Sequence, residues 1–153
     1  MKIIKNYDVN LKVISEATET QAPKSEVTIK GTKLKLIISG FYLEACIQYD
    51  ERYLVFTTDG CPFEESLNIY LLSGDNEIID SATAFCPYGT GSFQLLGTTD
   101  PDLVQFKFFI DKDWQIKIFK SNRINIPYIS ESSGVWRKIK FCRSFGVSEV
   151  SAQ

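Results

Sequence analysis

The chain contains no histidine, and that absence bounds its chemistry first. A Ser-His-Asp or Cys-His nucleophile needs an imidazole to take and return a proton, so neither arrangement can form within this chain. The four cysteines, Cys46, Cys61, Cys86 and Cys142, lie far apart with no C-x-x-C pair. A tetrahedral zinc site would have to draw all four thiolates from distant segments. The expectation is free, mostly buried thiols, no metal and no cofactor. Gly89-Thr90-Gly91 is the only close glycine pair and lacks the further glycine of a phosphate-cradling loop. It reads as a turn between Phe85 and Phe93. Paired carboxylates remain: Glu64-Glu65, Asp50-Glu51, Asp59 before Gly60, and Asp100 and Asp102 around Pro101. Two carboxylates can run glycoside or phosphodiester chemistry. Each of these pairs sits beside a turn signal, however, and reads as solvated turn carboxylates. Cys61 would be reactive only at a helix N-terminus that lowered its pKa, and no base stands beside it.

Charge is more informative. Residues 1–49 carry seven Lys against five acidic residues, +2; residues 50–113 carry three basic against twelve acidic, −9; residues 114–153 carry seven basic against two acidic, +5. The net −2 therefore hides an acidic middle, which would repel nucleic acid and steer a basic partner. Its turn-adjacent residues Asp59, Glu64, Glu65, Asp75, Glu77, Asp80, Asp100 and Asp102 are expected to form the main partner surface, with Tyr70 and Tyr88 as aromatic anchors. Reversing Glu64 and Glu65 to Lys is expected to slow association with little loss of stability. The basic stretch Arg137-Lys138-Ile139-Lys140 with Arg143, set among Trp136 and Phe141, has the composition of a nucleic-acid contact. Its alternation reads instead as an edge strand that lysines guard against pairing. No direct nucleic-acid binding is expected.

The elements that must hold these residues are strands. Val104, Phe106, Phe108 and Ile110 alternate with Leu103, Gln105, Lys107 and Phe109. Asp111-Lys112-Asp113 then turns the chain into Trp114, Ile116 and Ile118, which makes a hairpin. A second hairpin turns at Lys30-Gly31-Thr32, between Val27/Ile29 and Leu34/Leu36/Ile38. Phe41–Tyr49 and Tyr53–Thr58 pair around Asp50-Glu51. Glu77–Phe85, Ser92–Leu96 and Val135–Phe141 are further strands, and Ile3–Ile14 is a strand interrupted near Asn6–Asp8. Residues 62–73 divide between helix and strand readings; one helical turn near Pro62–Ser66 followed by a strand is favoured. The loops 16–25 and 122–134 are polar, and the tail frays from Ser148. About ten short strands in a chain of 153 residues imply one mainly β domain over 1–153. The implied fold is an antiparallel β-sandwich or barrel with at most one or two short helices. The start MKIIKNYDVNLKVI has no apolar segment of signal-peptide length. Leu36–Ile38 and Phe108–Ile110 are too short to span a bilayer. A cytoplasmic protein without membrane contact is expected.

The most distinctive stretch is FTTDGCPFEESLNIYLLSGDNEIIDSATAFCPYGTGSF. With the small size, the acidic run Tyr53–Asp113 and the missing catalytic apparatus, the chain resembles bacterial immunity proteins of contact-dependent growth inhibition systems. The resemblance is one of general character over the whole chain, so no family residue is carried across position by position. It implies a non-catalytic inhibitor that holds a cognate toxin domain, often a basic nuclease, in a tight one-to-one complex. Two alternatives stay open: a small-molecule or lipid carrier on a β-barrel, suggested by the apolar richness of Leu103–Ile110, and an enzyme using carboxylates alone. A carrier needs an enclosed apolar cavity; an enzyme needs two carboxylates converging in a cleft.

Overall fold

Alternating apolar and polar residues build strands along almost the whole chain. The computed structural model describes residues 1–150 except 62, 63, 90, 100, 110, 111, 125–131 and 139. Its strands are β1 (Lys2–Ile4), β2 (Val9–Ser15), β3 (Lys24–Ile29), β4 (Lys35–Ser39), β5 (Tyr42–Tyr49), β6 (Arg52–Thr58), β7 (Ser66–Ser73), β8 (Glu77–Phe85), β9 (Gln94–Thr99), β10 (Leu103–Lys107), β11 (Asp113–Ile124), β12 (Val135–Trp136) and β13 (Cys142–Glu149). A 3-10 turn at Asn6–Asp8 is the one helical element among the described residues; none is long and apolar enough to cross a membrane.

The strands form three antiparallel sheets, in the orders β1-β5-β6-β7-β8-β12, β13-β11-β10-β9 and β2-β3-β4. All three are open, so the fold is layered as in a β-sandwich and does not close into a barrel. The six-stranded sheet is the middle layer. Ile47, Leu54, Phe56, Leu67, Ile69 and Ala84 on one face share a core with Val104, Phe106, Trp114, Ile116 and Phe145 of the four-stranded sheet. Cys46, Tyr53, Val55 and Leu72 on the other face pack on Val9, Val27, Ile29, Leu34 and Ile38 of the three-stranded sheet. Burial on both faces explains the unbroken apolar run Tyr53-Leu54-Val55-Phe56, because neither side of β6 meets water. Phe56, Phe93 and Phe106 cluster with ring centroids 5.0–5.7 Å apart. Each fully buried large side chain contributes about 1.5–3 kcal/mol. The indole of Trp114 donates to the Phe108 carbonyl at 3.0 Å, which satisfies its one polar atom inside the core.

The three expected hairpins form as β3/β4, β5/β6 and β10/β11. Gly31 takes φ +78° and Asp50 takes φ +53° in the first two turns. Between residues 62 and 73 the strand reading holds for Ser66–Ser73. Pro62 and Phe63, part of the expected helical turn, lie outside the described residues. Tertiary pairing decides this segment: β7 is flanked on both sides, by β6 and β8.

Three expectations need correction. Among the described residues of the expected strand Val135–Phe141, only Val135–Trp136 is a strand; the next side chain, Arg137, is buried against Asp80. The expected fraying at Ser148 does not occur there, since β13 runs on to Glu149 and pairs along β11. The thiols are free, yet only Cys46 is buried; Cys61, Cys86 and Cys142 are exposed. Each of those three lies in a connection or at a strand end, outside the interior of the sheets.

Candidate interaction surfaces

The antiparallel pairing of β5 to β8 brings the start of β5, the end of β6, the start of β7 and the end of β8 to one end of the middle sheet. Tyr42 opposes Thr58, Thr58 opposes Leu67, and Ser66 opposes Phe85. Asp59, Glu64, Glu65 and Tyr88 follow or precede these positions and therefore gather at that end. Two side chains that the sequence reading missed join them. Glu44 accepts from Thr58 Oγ1 at 2.6 Å, and Tyr42 is 55% exposed beside Gly60. A bulge between Leu43 and Ala45 hid both. It shifts the side-chain parity of β5, so simple alternation misassigns the residues before it.

Two more of these carboxylates are, like Glu44, already held by protein donors. Glu65 Oε1 accepts the backbone N–H of Asp59 at 2.8 Å, of Gly60 at 3.1 Å and of Ser66 at 3.1 Å. It clamps the ends of the loop between β6 and β7. Reversing Glu65 would break this clamp, which corrects the expectation that both glutamates can be reversed at little cost; only the exposed Glu64 can. Asp59 Oδ1 accepts from Asn68 Nδ2 at 2.7 Å, and Asn68 Oδ1 accepts from Thr83 Oγ1 at 3.3 Å. Burial pushes the Asp59 carboxyl above the usual aspartate range; the Asn68 amide opposes that shift, and the nearby Glu65 charge adds to it.

The other expected residues lie elsewhere. Asp75 and Glu77 are exposed at the opposite end of the sheet, in and after the β7–β8 turn. The seven-residue β6 separates the two ends by about 20 Å. Asp102 is in the β9–β10 turn of the four-stranded sheet, and its carbonyl accepts from Ile118 N at 2.9 Å. Asp100 lies outside the described residues. Tyr88, 89% exposed with φ +58°, projects from the segment after β8.

Asp80 and Tyr70 belong to a different site. The Asp80 side chain is 1% exposed. Its Oδ1 lies 3.0 Å from Arg143 Nη1 and 2.9 Å from Ser81 N; its Oδ2 lies 2.9 Å from Ser144 N and 3.5 Å from Arg137 Nη1. The guanidinium of Arg137 stacks on the Phe145 ring, 4.3 Å from its centroid, and donates to the Phe145 carbonyl at 2.9 Å. Asp80 is therefore a buried tie between β8 and the C-terminal strand and offers no surface to a partner. Tyr70 Oη accepts from Ser39 N at 3.0 Å, which joins the middle sheet to β4. Both residues line a cleft between β4 and β8.

No protein-family model matches the chain, and no curated protein or solved structure matches it significantly.

Proposed function

We propose that this chain is a non-catalytic cytoplasmic binding protein that neutralises a cognate toxin domain in a one-to-one complex, with the acidic end of the middle sheet as its principal contact. The observation that carries this reading is the gathering of Glu44, Asp59, Glu64 and Glu65 at one sheet end with the exposed Tyr42 and Tyr88. Hydrogen bonds to the protein already fix three of those carboxylates, so little ordering is left to be done on binding. A basic domain, such as a nuclease that engages phosphates, is the complementary partner. The aromatic side chains supply the apolar contact area that commonly dominates interface energetics.

The cleft shapes agree better with a binding protein than with a carrier. Among the described residues, the clefts along β1–β3, at the β3–β4 turn and between β4 and β8 are bordered by lysines and other polar side chains, a lining unlike that of a lipid carrier. A carboxylate-only enzyme is disfavoured because Glu65 is committed to three backbone donors. The test is association kinetics against the toxin domain encoded beside the gene. Glu64→Lys is expected to slow association and weaken its salt dependence, and Tyr42→Ala to speed dissociation. Unchanged rates in both variants would reject this surface.

A further inference from the structure

The cleft between β4 and β8 has the opposite electrostatic character to the acidic sheet end. It is lined by Ile37–Ser39 of β4, Tyr70 of β7, Ile78–Ser81 of β8, and the cations Lys24, Lys138, Lys140 and Arg143. Its volume is about 450 Å³, within the size range of small-ligand sites. Four cationic side chains from three separated segments face a single carboxylate, Asp80, a formal +3. Asp80 is itself engaged by Arg143 and two backbone N–H groups, so it has little capacity left to neutralise the lysines.

Arg143, 7% exposed, is held in place by Nη1 on Asp80 and Nη2 on the Lys138 carbonyl, so it stands in the lining as a fixed positive charge. In addition, β12 pairs with β8 at Thr83 and Ala84, and among the described residues β8 has no further strand partner on that side along Ile78–Ser81. The segment that passes there is tied to it by Lys140 Nζ, which donates to the Ile79 carbonyl at 2.9 Å. This leaves the cleft open along a strand edge while surrounding it with cations.

We infer that this cleft binds a small anion bearing carboxylate or phosphate groups. Lys24 and Lys138 supply exposed point charges, Arg143 adds a fixed positive charge to the lining, and Tyr70 Oη remains able to donate while accepting from Ser39 N. Ile37 and Ile78, partly exposed at 47% and 41%, offer apolar contact to the ligand's carbon frame. This site is independent of the acidic sheet end, and its test does not involve a toxin.

The test is a ¹H–¹⁵N NMR titration of the full chain at low ionic strength, with sodium pyrophosphate in one arm and citrate in the other. The expected result is saturable shifts confined to amides around Ser39, Tyr70, Ser81, Lys138 and Arg143. Saturation by pyrophosphate alone identifies a phosphate site, by citrate alone a carboxylate site, and by both a general polyanion site. The double variant Lys24→Glu/Lys138→Glu changes two exposed residues, so the spectrum should stay dispersed while affinity falls about tenfold or more. The inference is overturned if neither anion saturates the cleft. It is also overturned if shifts spread equally to Lys2, Lys30 and Lys33 outside it, or if the folded double variant binds as the native chain does. Binding of a glutamate-rich peptide in the cleft without binding of either small anion would likewise overturn it, in favour of a peptide-docking groove.

Discussion

Replacing Asp80 by Ala should destabilise the protein more than any substitution of an exposed acidic residue. The carboxylate is 1% exposed and the Arg143 side chain 8% exposed, at 3.0 Å separation. Removing one member of such a buried pair leaves the other charge without its partner, a loss of about 3–5 kcal/mol. The variant also deprives Ser144 N of its acceptor at 2.9 Å, inside a residue only 2% exposed. These losses share one site and do not simply add, so the expected total stays at about 4 kcal/mol. That is a large share of the roughly 5–15 kcal/mol by which domains are stable. For a chain of this size it lowers Tm by about 10 °C. The assay is urea unfolding followed by the fluorescence of Trp114, which is buried beside Phe108. Asp75→Ala, at an exposed turn, is the control and should change stability by no more than about 0.5 kcal/mol. Asp80→Asn keeps the shape and removes the charge, and should retain more than half of the loss. If Asp80→Ala costs less than about 1 kcal/mol, or no more than Asp75→Ala, the reading of this cluster as the tie between β8 and β13 is refuted.

Gly40→Ala should cost about 3 kcal/mol in the same assay, since Gly40 has φ +132° and a Cβ there would fall onto the Thr57 side chain; a change below about 0.5 kcal/mol would contradict that packing. Burial pushes the Cys46 thiol up to about 12, so a thiol-disulfide reagent at neutral pH should titrate three cysteines in the folded chain and the fourth only after unfolding; rapid modification of all four would refute this. Because the Asp59 pKa is raised in the folded state, its ionisation opposes folding, a penalty absent below the unfolded aspartate value and growing as pH rises through the folded one. Asp59→Asn should therefore raise stability at pH 7 relative to pH 4 compared with the native chain, and an unchanged pH profile would show that the shift is absent.

The sheet architecture was readable where alternation is uninterrupted. Alternation of Val104 and Phe106, and of Trp114, Ile116 and Ile118, marked the β10/β11 hairpin, and Tyr53–Thr58 was legible as a strand, although its burial on both faces was not. Legibility failed where tertiary contacts override the local period. In β13, buried Arg143 and Ser144 interrupt the apolar pattern because they bind Asp80, and only the fold brings Asp80 near them. The same interaction made the basic stretch around Arg137 look like a solvated strand edge, although its guanidinium packs on Phe145. The acidic middle block was visible as composition, but its distribution was not. Pairing of β5 to β8 sends Asp59, Glu64 and Glu65 to one end and Asp75 and Glu77 to the other. Asp80 is withdrawn into the interior. Glu44 and Tyr42 were missed because the bulge at Leu43–Ala45 shifts the register of β5 there.

The most direct test of the central proposal is inhibition of the toxin domain encoded beside the gene, measured in vitro with increasing amounts of this chain. The account predicts that activity falls linearly to zero at one equivalent, and that the Glu64→Lys/Tyr42→Ala chain, folded to the same extent, requires a clear excess to achieve the same inhibition. Undiminished toxin activity in the presence of excess native chain would contradict it.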